Sequence, residues 1–461
     1  MSALEAKLGV ARVVARAARA SGRGGGTSLP GKVLLRLEPQ AIHQLASRLT
    51  GGSAVISATN GKTTTASITA TILERGGHTL VHNRAGANMA GGVASTLLAA
   101  ARRGGRIAGD TGLFEVDEFW LGAVTEQVRP RAVLLGNLFR DQLDRYGELE
   151  AIADRWAEVV ARLDDASALV LNADDPLIAD LGRNRENVSY FGVDDDAMAL
   201  PEMQHASDSK HCRRCGAPYR YDAIYLGHLG HYHCPNCGQQ RPEPSVRAER
   251  ITLHGTEAAD FTLVTPAGER PVSLRLPGLY NVYNALAATA LCLSLGVGLD
   301  AVVEGLQSAT AAFGRAETVA IGKTTLRLLL IKNPAGANEI LRTLGLEPGE
   351  LDVLGILNDN IADGRDVSWI WDADFELLAP HVRRVTCSGT RAAELAVRLK
   401  YAGVPETGLT VVSSLPAALD QAIAAAGSGR LFALPTYTAM LALRAELAAR
   451  GHVSPYWEAA A

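Results

Sequence analysis

The 461-residue chain carries 45 Lys+Arg against 49 Asp+Glu, a net charge of −4, with 47% hydrophobic and 20% charged residues. That composition can bury several cores, two to four at roughly 100–200 residues per domain, and excludes a largely disordered chain. The charge balance excludes a protein that coats nucleic acid, and no run reaches the ~18–20 unbroken apolar residues of a membrane span. Forty-six glycines with 5% aromatics favour a glycine-turned α/β enzyme over an all-β sandwich. Six cysteines in a chain this long point to a reducing cytoplasm rather than a disulfide scaffold.

Leu4–Arg19 spaces small apolar residues between Lys7, Arg12, Arg16 and Arg19. The arginines interrupt the apolar centre that a secretory signal needs. An amphipathic surface helix ending at Gly22–Gly26 is the plain reading, and a helix resting on the anionic inner face of the cell membrane is the alternative. Ser53–Ser57 reads as a buried strand, with a helix over Thr63–Glu74 after it. Ala132–Leu135 and Ala168–Leu171 are further short strands, with the amphipathic helix Leu149–Leu163 between them. This alternation predicts a mostly parallel sheet covered on both faces.

The pattern breaks over residues 203–247, which are polar, rich in His and Tyr, and hold four of the cysteines. Tyr283–Leu295 then reads as a strongly apolar helix. A boundary near Phe313–Arg315 precedes a second α/β series, with strands at Leu326–Ile331, Val353–Leu357, Arg384–Cys387 and Arg430–Leu434. Its helices are expected at Ala392–Leu399, Leu415–Ala425 and Ala439–Ala449. The expected organisation is an N-terminal helical segment (1–48), an ATPase-like domain (49–312) with an insertion at 203–247, and a C-terminal Rossmann-like α/β domain (313–461).

The segment Ser57-Ala58-Thr59-Asn60-Gly61-Lys62-Thr63-Thr64-Thr65 follows a strand and opens a helix. A phosphate needs backbone N–H donors, a helix N-terminus and a cation, and all three are offered here. Lys62, read as an exposed loop side chain, is placed to reach the β/γ-phosphates of ATP, and the Thr63 or Thr64 hydroxyl to sit on Mg²⁺. Ile56 stands where the strict phosphate-loop pattern has its first Gly, so a plain strand-to-helix turn is the alternative.

In the insertion, Cys212-Arg213-Arg214-Cys215 is followed by 18 residues and then Cys234-Pro235-Asn236-Cys237. Two such knuckles predict a tetrahedral Cys₄ zinc-ribbon site, closed and therefore structural. Gly216 and Gly238 each follow a second Cys, where a knuckle needs positive φ. A redox dithiol pair is the alternative, and His211, His231 and His233 leave the ligand set open. Arg213 and Arg214 are too few charges for a nucleic-acid ribbon.

The shorter pattern T-N-G-K-T-[ST] resembles the phosphate loop of the Mur ligases and folylpolyglutamate synthases. Further segments resemble that family in the same order. Glu115, in Phe114–Glu118, resembles its Mg²⁺-binding Glu. Asn137–Asp144 resembles its T-N-x-x-x-D-H-x-D segment, with Gln142 in place of the His. Leu171–Pro176 matches L-N-A-D-D-P, Leu279–Leu286 resembles the N-x-x-N-A-L-A helix start containing Asn284, and Gly314–Glu317 resembles the G-R-x-E nucleotide contact with Arg315. The six span Thr59 to Glu317. The resemblance implies ATP-dependent amide formation, in which a carboxylate becomes an acyl phosphate and a nitrogen nucleophile attacks it. It also implies an ATP and Mg²⁺ site built from Thr59, Asn60, Gly61, Lys62, Thr63, Thr64, Glu115, Asn284 and Arg315, with Lys62 and Glu115 catalytic. Gln142 removes one expected ligand of a second metal.

Within that family, the inserted ribbon, Val81–Met89, Lys332–Gly336 and Leu357–Trp369 resemble the MurT branch, the ligase-like subunits of lipid II isoglutaminyl synthases. This implies amidation of the α-carboxyl of D-Glu in the lipid II stem peptide to D-isoglutamine, with Asn83, Asn88 and Asp144 at the substrate. It also implies ammonia from a separate GatD-type glutaminase. Glutamine hydrolysis needs an activated Cys with a His partner. Cys292, in an apolar helix, and Cys387, at a strand end, fit that role poorly. Asp359–Glu376 holds six carboxylates and one Arg with Trp369, Trp371 and Phe375, which favours a contact surface over a solvated acidic loop. The resemblance implies that an Asp here completes the partner's Cys–His pair, Asp366 first and Asp363 in reserve. The rival is a stand-alone Mur or folylpolyglutamate-type ligase that adds an amino acid. Against it stand the ribbon, Gln142 and the acidic aromatic segment.

Overall fold

A computed structural model describes residues 3–20, 28–83, 87–102, 106–141, 149–204, 207–311 and 315–454. Its first sheet begins with β1 (Gly52–Ser57), β2 (Leu80–His82), β3 (Thr111–Glu115), β4 (Ala132–Leu135), β5 (Ala168–Asn172) and β6 (Val188–Val193). These run parallel in the order β6-β5-β4-β1-β3-β2. Successive side chains point to opposite faces. Ile56, Leu134 and Val170 join one core with helices Lys62–Arg75 and Leu279–Ser294, while Val55, Val133 and Leu169 join another with helices Ala90–Ala100 and Leu149–Arg162. The sheet is covered on both faces, as the alternation of strands and helices predicts.

Past β6 the pattern changes. The insertion forms a separate hairpin, β7 (Arg220–Leu226) with β8 (Leu229–His233). The chain then returns as β9 (Val246–His254), β10 (Ala258–Thr265) and β11 (Gly268–Leu274), an antiparallel extension that joins β6 through β9. Sequence reading missed these three strands. They carry outward-facing charges such as Arg247 and Glu249 between buried Val246, Ala248 and Ile251, so no unbroken apolar run announces them.

The second sheet has the order β12-β13-β17-β14-β15-β16. Its strands are β12 (Arg315–Ile321), β13 (Thr324–Leu329), β14 (Leu351–Ile356), β15 (Val382–Ser388), β16 (Leu409–Val411) and β17 (Arg430–Pro435). All neighbours are parallel except the β12–β13 hairpin. The edge strands β12 and β16 were not anticipated; β16 is short and largely exposed, which leaves little apolar signal.

These topologies decide where ligands can bind. Strand β1 lies between β3 and β4, so the chain departs in opposite directions at its carboxyl end and leaves a crevice there. The phosphate loop leaves β1 into that crevice. From the second sheet, the segments after β13, β14 and β17 approach the same place. Across the junction, the Asn60 and Asn333 side-chain amides exchange two hydrogen bonds of 3.3 and 3.0 Å. On another side, Glu347 accepts from the Thr256 backbone N–H at 2.5 Å and its hydroxyl at 2.6 Å, and pairs with Arg430.

Helix Ala3–Ala20 packs Leu4, Leu8 and Ala11 into the core that contains Leu34 of helix Leu29–Leu37. Arg12 donates to the Ala101 carbonyl at 2.7 Å and Lys7 pairs with Glu38 at 2.9 Å. Its apolar face is thus occupied by protein, with Val10 and Val13 outward. Among the described residues no helix is long and apolar enough to cross a membrane.

Asp174 of the L-N-A-D-D-P segment is fully buried. It accepts from Arg241 Nε at 2.6 Å, the Tyr283 hydroxyl at 2.6 Å and the Val193 N–H at 2.8 Å, linking β5, β6 and helix Leu279–Ser294. Asp174→Ala leaves the Arg241 charge largely buried and unpaired. It is therefore expected to lower stability by about 3–5 kcal/mol, read from urea unfolding midpoints; an unchanged midpoint would contradict this role.

Candidate functional site

A cavity of about 340 Å³ lies in the crevice, lined by Thr59, Asn60, Gly61, Lys62, Thr63 and Thr64 together with Glu115, Glu118, Asn284 and Lys332. The loop holds its shape through backbone and amide contacts. Thr59 N–H donates to the Asn137 carbonyl at 2.9 Å, Asn60 N–H to Asn137 Oδ1 at 2.8 Å, and Asn137 Nδ2 returns a bond to the Asn60 carbonyl at 3.0 Å. Gly61 has φ +85°, and a Cβ there would lie 2.0 Å from Asn284 Oδ1. Only glycine suits that backbone and that approach. Helix Lys62–Arg75 starts at this turn, so its first N–H groups face the cavity.

The structure corrects one expectation: Lys62 is only 8% exposed. Its ammonium donates to the Ala58 carbonyl and to Glu118 Oε2, the latter at 2.9 Å. Burial works against this charge, but Glu118, then Glu115 and Asp117, outweigh it and hold its pKa above the ordinary lysine value. Burial likewise pushes the Glu118 carboxyl up, and Lys62 with Lys332 more than reverses it. Glu118 was not foreseen as a site residue, although it stands three positions after Glu115.

Thr63 Oγ1 donates to Glu115 Oε1 at 3.1 Å. A hydroxyl and a carboxylate on the cavity wall fit a hard cation such as Mg²⁺, which takes oxygen ligands. Asn83, expected at the substrate, is buried instead. Its amide donates to the Glu115 carbonyl at 2.8 Å and accepts the Glu115 N–H at 2.9 Å, so it positions the end of β3. Asn284 accepts from Thr65 Oγ1 at 3.1 Å and donates to Asn281 at 3.0 Å, which places it against the loop. Asn88 lines the cavity. Gln142, Asp144 and Gly314 lie outside the described residues, as does the side chain of Arg315, whose backbone opens β12.

From the second sheet, Lys332 donates to the Thr59 carbonyl at 3.0 Å and pairs with Asp141. Lys332 and Asn333 belong to a segment whose resemblance was noted, yet their place over the phosphate loop is decided by the junction. Ala362 and Tyr437 line the cavity from the segments after β14 and β17. Asp363 is buried and accepts from the Thr438 N–H at 2.7 Å and its hydroxyl, so it is committed to the start of helix Tyr437–Ala449. Asp366 is exposed. The Ser368 N–H, 2.8 Å away, followed by the Ser368 hydroxyl, holds its carboxyl below the ordinary range.

The acidic aromatic segment is less exposed than expected. Phe375 belongs to the core and Trp369 packs partly against it, while Trp371 is 52% exposed beside Tyr401, with ring centroids 5.8 Å apart. Cys292 and Cys387 are buried, and burial alone pushes their thiols up, Cys387 to about 12. Buried thiols without an activating partner fit a packing role.

The thiol sulfurs of Cys212, Cys215, Cys234 and Cys237 all lie within 4.8 Å of one another. Cys212 and Cys237 are 3.5 Å apart and Cys215 and Cys234 3.4 Å, near the ~3.8 Å edge of a tetrahedral zinc–thiolate site. The two knuckles are alike. Gly216 has φ +75° and Gly238 φ +74°, and each donates its N–H to the carbonyl of the first Cys, at 2.7 and 3.1 Å. The donor set fits a metal ion.

Two largely parallel sheets meeting over a strand-to-helix loop of this kind make the architecture of a Mur-ligase type of protein. The Mur ligase middle domain family matches residues 56–292, and the MurT ligase C-terminal family matches residues 330–440. The chain is 33% identical over 428 residues, 93% of each chain, to the lipid II isoglutaminyl synthase (glutamine-hydrolyzing) subunit MurT of Streptococcus pneumoniae. It is 32% identical to the MurT subunit of Staphylococcus aureus strain N315 over 439 residues, 95% of this chain and 96% of that one. In fold it is similar to a pseudomurein peptide ligase type C from Methanothermus fervidus, with TM-score 0.65 and 22% identity over 88% of this chain and 80% of that one. The chain belongs to the MurT family of Mur-ligase-like subunits.

Metal analysis of the purified protein is expected to find about one zinc per chain, bound by the four thiolates. Cys212→Ser should lose the metal and destabilise the module, because metal binding there is also folding free energy. Full stability in a metal-free protein would overturn this assignment.

Proposed function

We propose that this chain is the synthetase subunit of a glutamine-dependent lipid II amidotransferase. It would convert the α-carboxyl of D-Glu in the stem peptide to an acyl phosphate with ATP, then to D-isoglutamine with ammonia from a GatD-type glutaminase. The observation that carries this reading is the buried Lys62 beside the Thr63–Glu115 pair, in a cavity also lined by Lys332 of the MurT-type C-terminal segment. The ATP-binding half spans 49–312 and the partner-docking half 313–461, as the sequence reading places them.

Phosphoryl transfer spreads negative charge over the transferring oxygens, so fixed cations and N–H donors lower its barrier. Here Lys62, Lys332 and the start of helix Lys62–Arg75 supply them, and the resemblance adds Arg315. Thr63 and Glu115 would hold Mg²⁺, which would supply positive charge to offset the charge developing on the phosphoryl group. Asn83 keeps Glu115 in register, and Asn88 on the cavity wall would meet the acceptor, a role the resemblance also gives to Asp144. The absence of a reactive thiol outside the four-cysteine cluster supports ammonia delivery by a partner, as does the word subunit in the relatives' names. On the partner-facing side, the exposed, ionised Asp366 orients the glutaminase His and stabilises its charged form, the role of the carboxylate in a nucleophile–His–acid triad.

Two outcomes test this. Lys62→Met should abolish amidation of lipid II with either glutamine or ammonium, at least 10²-fold, because the transferring phosphoryl group loses its fixed cation. Since Glu118 is then left buried and unpaired, the double variant Lys62→Met/Glu118→Gln should regain stability but not activity. Asp366→Asn should lose glutamine-driven amidation, by up to ~10⁴-fold, and keep it with high ammonium. Mass analysis of amidated lipid II measures each. Equal loss with both nitrogen sources would move Asp366 to the synthetase site or the fold, and full glutamine activity would remove it from the triad.

A further inference from the structure

The four-cysteine module is not confined to its metal ligands. Its hairpin runs away from the cluster and ends in the cavity. Strand β8 leads from Leu229 at the tip directly into Cys234, a reach of roughly 17 Å at about 3.3 Å per residue. Leu226 and Leu229, on either side of the tip, line the same cavity as the phosphate loop.

The tip is held tightly. Gly227 has φ +57°, and a Cβ on it would lie 2.9 Å from the Phe139 ring. The fully buried His228 ring sits 4.7 Å from that of Phe139, whose N–H donates to Thr59 Oγ1 at 3.2 Å. Gly230 N–H donates to the Asp174 carbonyl at 3.0 Å, and Arg342 of the second half donates to the Tyr225 carbonyl at 2.8 Å. The hairpin is thereby fixed to the phosphate loop, to the first sheet and to the C-terminal half.

The cavity is polar where the loop, Glu115 and Lys332 meet. Its lining also includes Leu226, Leu229, Leu276, Tyr280 and Ile340, with the buried Glu339 carboxyl. A nucleotide with its phosphates on the loop needs apolar lining of this kind for its planar base. Apolar walls with one or two polar groups are what such a ring requires. We infer that the hairpin of the four-cysteine module forms the base-binding wall of the nucleotide cavity, so that metal occupancy at the cysteines sets nucleotide affinity. This rests on the reading of the cavity as the ATP site.

The test is calorimetric titration of the full-length protein with ATP and, separately, with inorganic triphosphate, both with Mg²⁺. Leu229→Ala and the milder Leu229→Val, each with its metal content and thermal midpoint checked, should weaken ATP by about tenfold and a few-fold respectively. Triphosphate, which has no base, should bind these variants within twofold of the parent. Removing the metal with a chelator should weaken ATP at least as much as Leu229→Ala and leave triphosphate binding in place. Lys62→Met serves as the control, with loss of both ligands expected. Unchanged ATP binding in Lys62→Met would defeat the nucleotide reading itself. If Lys62→Met loses ATP but the Leu229 variants or the metal-free protein bind it normally, the inference alone falls. Equal loss of ATP and triphosphate in the Leu229 variants would make the hairpin a prop for the phosphate loop, and also overturns it.

Discussion

A single buried ammonium organises the site. Taking Lys62 out of water is costly, of the order of several kcal/mol, unless carboxylates and carbonyls surround it. Glu118, Glu115 and Asp117 provide that surrounding, Glu115 from the end of β3 and the other two from the turn after it. The charge on the helix after β1 can therefore be buried only if β3 lies beside β1 in parallel, with both carboxyl ends at one edge. The same arrangement brings Thr63 against Glu115, so one constraint serves both the buried cation and the Thr63–Glu115 pair.

The second sheet completes the enclosure. Its parallel strands end where the phosphate loop begins, and Lys332 and Asn333 reach across to the Thr59 carbonyl and the Asn60 amide. Excluding water strengthens every charge interaction inside. The Glu347 contact with Thr256 holds the halves together elsewhere.

The segment after β14 faces two ways. Its start touches the cavity through Ala362, and Asp363 fastens it to Thr438. A few residues on, Asp366 and Trp371 stand in solvent. Such a layout puts an exposed carboxylate and a cavity-lining root on one short stretch. Asp363 and Asp366 look equivalent in a D-G-x-D turn, and only their hydrogen-bond partners distinguish them.

Much was legible in the residues themselves. Short apolar runs bounded by turns marked β1, β4, β5, β14 and β17, because strands buried on both faces need no polar residues. The phosphate loop and the cysteine knuckles were visible because their chemistry is local: a helix N-terminus, a glycine with positive φ and ligands at fixed spacing. Alternating strands such as β9 to β11 escaped, since half their residues face water. The burial of Lys62, its pairing with Glu118 and the inward turn of Asn83 could not be read along the chain. Each depends on which strands become neighbours, and a charge is buried or exposed only by what packs over it. The sequence by itself determined the local devices and the family. The tertiary structure decided which of them share a cavity, because the segments that meet there lie as much as 273 residues apart and are joined only by two sheets that present their carboxyl ends to one crevice.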